Sequence, residues 1–131
     1  MQIHQSAEDY LETILMLTQR MGRVRSIDVV NELGYTKASV SIAMKKLREN
    51  GYIAVDGEGN LTLLPPGREI AERIYSRHRL LTHFFVQLGV DEKTAAEDAC
   101  KAEHILSEQT LEKIREHALL HDAEDSVQKP E

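Results

Sequence analysis

The stretch at residues 26–51, SIDVVNELGYTKASVSIAMKKLRENG, decides the fold. Ser26 opens a short apolar-periodic run, Ile27 to Leu33, and Gly34 is the residue type that closes a helix in the left-handed conformation. Thr36 then offers a hydroxyl to cap a second helix, about 37–50. The inward face of that helix is Val40, Ala43, Met44 and Leu47, repeating at helical spacing until Gly51 stops it. Two helices joined by a short turn containing glycine form the helix-turn-helix pattern.

Reading outward from this unit, the period changes. Tyr52-Ile53-Ala54-Val55 and Leu61-Thr62-Leu63-Leu64 are short strands flanking the turn Asp56-Gly57-Glu58-Gly59-Asn60, which predicts a hairpin. Upstream, Leu11, Ile14, Leu15, Leu17 and Met21 follow helical spacing over about 6–21, with Ser6 as N-cap and Glu8 and Asp9 in the first turn. Three helices followed by a hairpin give a winged helix-turn-helix. Downstream, Pro65-Pro66-Gly67 interrupts the pattern before a long helix of about 67–88. Gly89 closes it, Asp91 caps a helix of about 91–107, and a last helix spans about 108–120. The expected parts are a DNA-binding domain at 1–66, a helical domain at 67–122 and a flexible tail at 123–131.

Composition narrows the class. With 131 residues, 41% of them hydrophobic, the chain suits one or two small packed domains and is too apolar for a disordered one. One cysteine excludes an internal disulfide framework and fits a reducing interior. No apolar run approaches the ~20 residues of a membrane span, and no signal peptide is visible, so a cytoplasmic location is expected. The net charge of −6 disfavours nucleic acid if taken whole, but the charge is uneven. Residues 1–75 hold nine Lys or Arg against ten Asp or Glu, whereas residues 76–131 hold seven against twelve. The span from Tyr35 to Arg48 carries Lys37, Lys45, Lys46 and Arg48 with no acid, and Arg20, Arg23 and Arg25 form a second basic group.

In a helix-turn-helix the second helix enters the major groove and meets base edges with its N-terminal residues. Here those are Thr36, Lys37, Ala38, Ser39 and Ser41, with the Ala38 methyl suited to a thymine methyl. Lys45, Lys46 and Arg25, together with the wing, are expected near phosphates, where they position the protein and make its binding salt-dependent. On charge alone the same side chains read as solvated helix faces.

A second constellation carries chemistry. Cys100, Glu103 and His104 fall at i, i+3 and i+4 of the expected 91–107 helix, so a thiolate, a carboxylate and an imidazole share one face. All three are transition-metal donors. Read alone, the cysteine is equally a small semi-buried hydrophobe with exposed neighbours. Asp9 and Glu12 are an i, i+3 acidic pair on the first helix, and alone read as surface acids. His78, between Arg77 and Arg79, alone reads as a polar-face histidine.

Taken together, the stretches Ser6 to Ile14, Ser39-Val40-Ser41, Arg77-His78-Arg79-Leu80-Leu81 and Glu103-His104-Ile105-Leu106-Ser107 make residues 6–120 similar to a known family. The chain resembles the diphtheria-toxin-repressor family of metal-dependent transcriptional regulators, most closely its manganese transport regulator branch. The resemblance implies a mainly α fold, with an N-terminal winged helix-turn-helix joined by a long helix to an α-helical dimerisation domain. It also implies a binuclear site whose ligands fall on Asp9, Glu12, His78, Glu103 and His104. Cys100 stands where the manganese branch has glutamate and the iron-sensing branch has cysteine. The iron-sensing branch carries methionine at the position of Asp9, and its second site would need donors where this chain has Thr82 and Ala96. Glu97 and His83 are minor additional donor candidates.

The expected function is therefore a DNA-binding repressor of metal-uptake genes, not an enzyme. Fe²⁺ or Mn²⁺ would lock a homodimer onto a palindromic operator, and Zn²⁺, Co²⁺ or Ni²⁺ would bind in vitro. The partners are double-stranded DNA and a second copy, with no membrane and no organic cofactor. Ile105, Leu106, Leu111 and Ile114 are the expected dimer surface. The alternative is a metal-independent winged-helix regulator that senses a ligand or oxidation through Cys100. A metallo-hydrolase using Glu103 and His104 lacks any His-Glu-x-x-His run or glycine-rich cradle.

Overall fold

The computed structural model describes the backbone of residues 5–128 and the side chains of residues 5–122. The elements run α1 (Gln5–Met21), α2 (Ser26–Leu33), α3 (Lys37–Glu49), β1 (Ile53–Val55), β2 (Leu61–Leu63), α4 (Pro65–Gln87), α5 (Glu92–Ala102) and α6 (Glu108–Gln128). The chain is mainly helical, with an N-terminal helix-turn-helix domain and a C-terminal helical domain. It forms two compact units, residues 1–74 and 75–131.

In the first unit the expected helix-turn-helix is present with its turn chemistry intact. Gly34 takes the left-handed conformation at φ 72° and its N–H returns to the Val30 carbonyl. Thr36 caps α3, its hydroxyl oxygen accepting from the Ser39 N–H at 3.1 Å. The Asp28 carboxylate reaches back to the Arg25 N–H at 2.9 Å, so α2 starts on Arg25. Val40, Met44 and Leu47 of α3 are buried with Leu11, Ile14, Leu15 and Leu17 of α1 and with Val24 and Val29. Met21 does not join them: at the last residue of α1 it is 50% exposed. Ser6 lies within the first turn of α1, because the helix already includes Gln5.

β1 and β2 pair antiparallel with Ile53 opposite Leu63 and Val55 opposite Leu61. Asp56 closes the hairpin by accepting from the Glu58 and Asn60 N–H groups, both at 2.9 Å. These bonds, those of Asn60 foremost, hold its carboxyl below the ordinary value. The hairpin has a third edge that the sequence did not announce: Leu61 N–H bonds the Val24 carbonyl at 2.7 Å, and Arg25 bridges Asn60. Pro65 and Pro66 begin α4 rather than preceding it, as proline does readily in a first turn. Gly67 is required there. A Cβ on it would lie 2.2 Å from the Tyr52 carbonyl oxygen, so only glycine lets the helix start pass so close to the hairpin.

In the second unit Leu81 of α4, Ala99 of α5 and Leu111 of α6 form the buried centre, with Leu80, Phe85, Ala102, Leu106 and Ile114 packed around them. Of the four residues expected on a dimer surface, Leu111 is buried in this core, Leu106 and Ile114 are partly buried against it, and Ile105 is 74% exposed. Asp91 caps α5 as expected, its carboxylate accepting from the Thr94 N–H at 3.1 Å. α6 continues to Gln128, beyond the end expected near 120, and residues 129–131 of the expected tail lie outside the described residues.

Candidate metal centre and nucleic-acid interface

The helix expected over 91–107 ends early. α5 stops at Ala102, Glu103 is its C-cap at φ −59° and ψ −22°, and His104 lies in the following turn. The reason is the start of α6. Ser107 caps it by accepting from the Thr110 N–H at 3.2 Å, and Ile105 N–H bonds the Ala102 carbonyl in a tight turn that redirects the chain. Cys100, Glu103 and His104 therefore do not share one helical face. Glu103 keeps nearly helical geometry, its N–H bonded to the Ala99 carbonyl at 2.9 Å, and places one carboxylate oxygen within 4.8 Å of the Cys100 sulfur. His104 approaches the same carboxylate from the turn, with Nε2 3.4 Å from Oε1.

Glu103 is the centre of this group. It is fully buried, which a carboxylate tolerates only when paired or coordinating a metal. Its Oε2 meets His78 Nδ1 at 2.9 Å, and Oε1 accepts no hydrogen bond. Donor atoms on the order of 3 Å apart suit adjacent ligands of one ion with bonds of about 2.1 Å. A buried carboxylate with an imidazole on each side and a thiol nearby fits a divalent transition metal. The Cys100 side chain is exposed.

Asp9 and Glu12 stand one turn apart on α1 in the first unit, Asp9 half-buried and Glu12 buried. Tyr10 between them is buried and packs edge-on against Tyr35, with ring centroids 5.9 Å apart. Burial first, then the neighbouring Tyr35 and Asp9 charges, push its phenol above the usual value. Of the minor candidates, Glu97 is exposed, and His83 is engaged with Asp122 of α6 at 2.9 Å.

Sequence reading missed Arg77. Its guanidinium donates to the Glu103 carbonyl at 3.2 Å and pairs with the Glu108 carboxylate. No spacing rule links residues 26 positions apart, so nothing short of the fold could reveal it.

On the first unit, Arg25, Thr36, Lys37, Ser39, Ser41, Lys45 and Lys46 are all exposed. Thr36 and Ser39 are tied to one another at the start of α3, hydroxyl to hydroxyl at 2.9 Å. Ile42, 58% exposed, was not singled out in the sequence and stands on the same surface. The Arg25 guanidinium lies against the hairpin at Gly59. The hairpin turn itself offers Asp56 and Glu58 and no cation.

Residues 2–61 match the family described as iron dependent repressor, N-terminal DNA binding domain. Residues 65–125 match its metal binding and dimerisation domain. The chain belongs to the iron-dependent repressor family. An uncharacterised helix-turn-helix transcriptional regulator of Methanocaldococcus jannaschii is 37% identical over 85% of this chain and 90% of its own. The regulator MntR of Bacillus subtilis is 32% identical over 95% and 87%. Among solved structures, a manganese-dependent transcriptional repressor in complex with manganese superposes with TM-score 0.78 and 28% identity over 86% of this chain. The chain spans about half the length of that structure, 52%. Iron-dependent repressors are metal-dependent transcriptional regulators rather than enzymes, and this member has the DNA-binding and the metal-binding parts of that family. Among the described residues no helix is long and apolar enough to cross a membrane.

Proposed function

We propose that this iron-dependent repressor homologue is a cytoplasmic transcriptional repressor of metal-uptake genes that binds a palindromic operator as a homodimer when Fe²⁺ or Mn²⁺ is bound. The ligand set is Asp9 and Glu12 from α1 with His78, Cys100, Glu103 and His104, held as a binuclear site. The observation that carries the reading is Glu103, a wholly buried carboxylate between two imidazoles with one oxygen accepting no hydrogen bond. The bound ion supplies concentrated positive charge that lets several carboxylates share one site.

The chain's own residues supply the rest. Three carboxylates gathered without metal would repel, which disfavours the closed arrangement, and a bound ion would reverse that. Fixing α1 fixes the head that carries α3, and two heads in a dimer must match half-sites about one DNA turn, ~34 Å, apart or a multiple of it. Affinity then rises by population shift with α3 unchanged. Lys37 and Ser39 would read bases, with Thr36 and Ser41 beside them, while Arg25, Lys45 and Lys46 hold phosphates. Support for a second copy comes from the family's dimerisation domain and from exposed Ile105, Leu88, Leu119 and Leu120. The donor set is mostly oxygen and nitrogen with one sulfur, which suits Fe²⁺ and tolerates Mn²⁺.

The test is a gel-shift titration with Mn²⁺, anaerobic Fe²⁺ and Zn²⁺ on duplexes enriched from a random pool by the Mn²⁺-loaded protein. Chelation should release the DNA, and Glu103→Ala should abolish the metal response. A shift of the preferred activator in Cys100→Glu would assign selectivity to the thiol. DNA affinity indifferent to chelators and to Glu103→Ala, but altered by Cys100→Ser, would replace this reading with metal-independent sensing through Cys100.

A further inference from the structure

We propose that Arg77 is a positioning residue of the metal centre: with His78 it clamps Glu103, taking the backbone carbonyl while the imidazole takes the carboxylate. The inference rests on the metal-site reading above and assigns a role to a residue that supplies no ligand atom.

The geometry has three parts. Arg77 and His78 are consecutive on α4, and both reach the same residue. Arg77 Nη1 donates to the Glu103 carbonyl at 3.2 Å, and His78 Nδ1 meets Glu103 Oε2 at 2.9 Å. Glu103 is the C-cap of α5, where the last carbonyls of a helix lack intrahelical donors and the helix dipole presents its negative end. A guanidinium from another helix satisfies that carbonyl and complements that charge. The second arm of Arg77 pairs with Glu108, in the first turn of α6. One side chain thus ties α4 to the end of α5 and the start of α6, across the turn that carries Glu103 and His104.

Arg77 is also unusually covered for a residue of its type, its side chain only 15% exposed against 80% for Glu108. With the Glu103 main chain pinned and Oε2 engaged, the free torsions of the glutamate are nearly used up. Oε1 is left in a fixed direction, accepting no hydrogen bond. A ligand ordered before the ion arrives spares the binding step that ordering cost. Lysine cannot reproduce the clamp, because only the planar fork reaches two acceptors in fixed directions.

The experiment measures Mn²⁺ affinity of the full chain by the paramagnetic resonance of unbound Mn²⁺, alongside the thermal midpoint of the metal-free protein. It compares wild type with Arg77→Met, Arg77→Lys, Glu108→Gln and Glu103→Gln, at a temperature where each is folded. Arg77→Met should weaken Mn²⁺ by about 10–100-fold, the usual effect of removing a partner that orients a ligand. Arg77→Lys should recover part of the loss, and Glu108→Gln should show a smaller one. If Arg77→Met melts earlier yet binds Mn²⁺ within about twofold of wild type, Arg77 is a helix cap and no more. Should Arg77→Met fail to fold, Glu108→Gln decides, and unchanged affinity there overturns the proposal. Failure of the metal reading itself looks different: wild type and Glu103→Gln would bind Mn²⁺ equally poorly or equally well, and the positioning role would fall with it.

Discussion

Replacing Glu103 by glutamine keeps the volume of a fully buried side chain and removes its negative charge. The amide can still meet His78, so the metal-free protein should melt within a few degrees of wild type. Metal linkage is where the two should part. An ion that binds only the folded chain stabilises it by RT ln(1 + [M]/Kd), about 2.7 kcal/mol at a hundred times Kd. For 131 residues the unfolding entropy is about 0.28 kcal/mol/K at ~2.1 cal/mol/K per residue. The wild-type midpoint should therefore rise by about 10 °C. Loss of an orienting partner costs up to ~100-fold in affinity, which is a lower bound for loss of a ligand oxygen. At the same metal concentration the glutamine variant then keeps at most about 0.4 kcal/mol, under ~2 °C. Differential scanning fluorimetry with and without Mn²⁺ measures both shifts. A glutamine variant that still gains about 10 °C would refute the argument, because the buried carboxylate would then contribute nothing to the ion.

Leu111→Ala removes the centre of the α4–α5–α6 core and should destabilise the protein by about 2–5 kcal/mol in denaturant unfolding; a cost below about 0.5 kcal/mol would place Leu111 on a surface instead. Gly67→Ala forces a Cβ to within 2.2 Å of the Tyr52 carbonyl and should cost about 1–3 kcal/mol. Faster amide exchange at Leu64 and Arg68 would locate the damage at the start of α4. Asp91 has its carboxyl held below the ordinary value, first by the Thr94 hydroxyl and then by its N–H. A depressed folded pKa means that this cap contributes fully above the normal carboxylate range and is lost as pH falls through the folded value. The Thr94 amide resonance should follow that titration in wild type and stay level in Asp91→Asn.

The helix-turn-helix was legible because Gly34, Thr36 and the Val40, Met44, Leu47 period are local signals and each kept its role. The proposed metal donors stand out in the sequence as residue types at recognisable spacing. Two things were not. The end of α5 was hidden because Ala102 and Leu106 continue a helical apolar period with no glycine or proline between them; the Ser107 cap and the Arg77 bond to the Glu103 carbonyl win instead. The burial of Leu111 was hidden because periodicity reveals an apolar face without saying what covers it, and here it packs with Leu81 of α4 and Ala99 of α5.

The hairpin turn ends in Asp56 and Glu58. Hydrogen bonding, that of Asn60 foremost, keeps Asp56 ionised to lower pH than usual. A carboxylate brought against DNA opposes the sequence-blind attraction on which non-specific adhesion depends. On the proposed reading, a chance landing on the wrong stretch of DNA would draw its hold from cations such as Lys45, Lys46 and Arg25, with the turn working against it. Such a turn would leave base contacts a larger share in deciding where the head dwells.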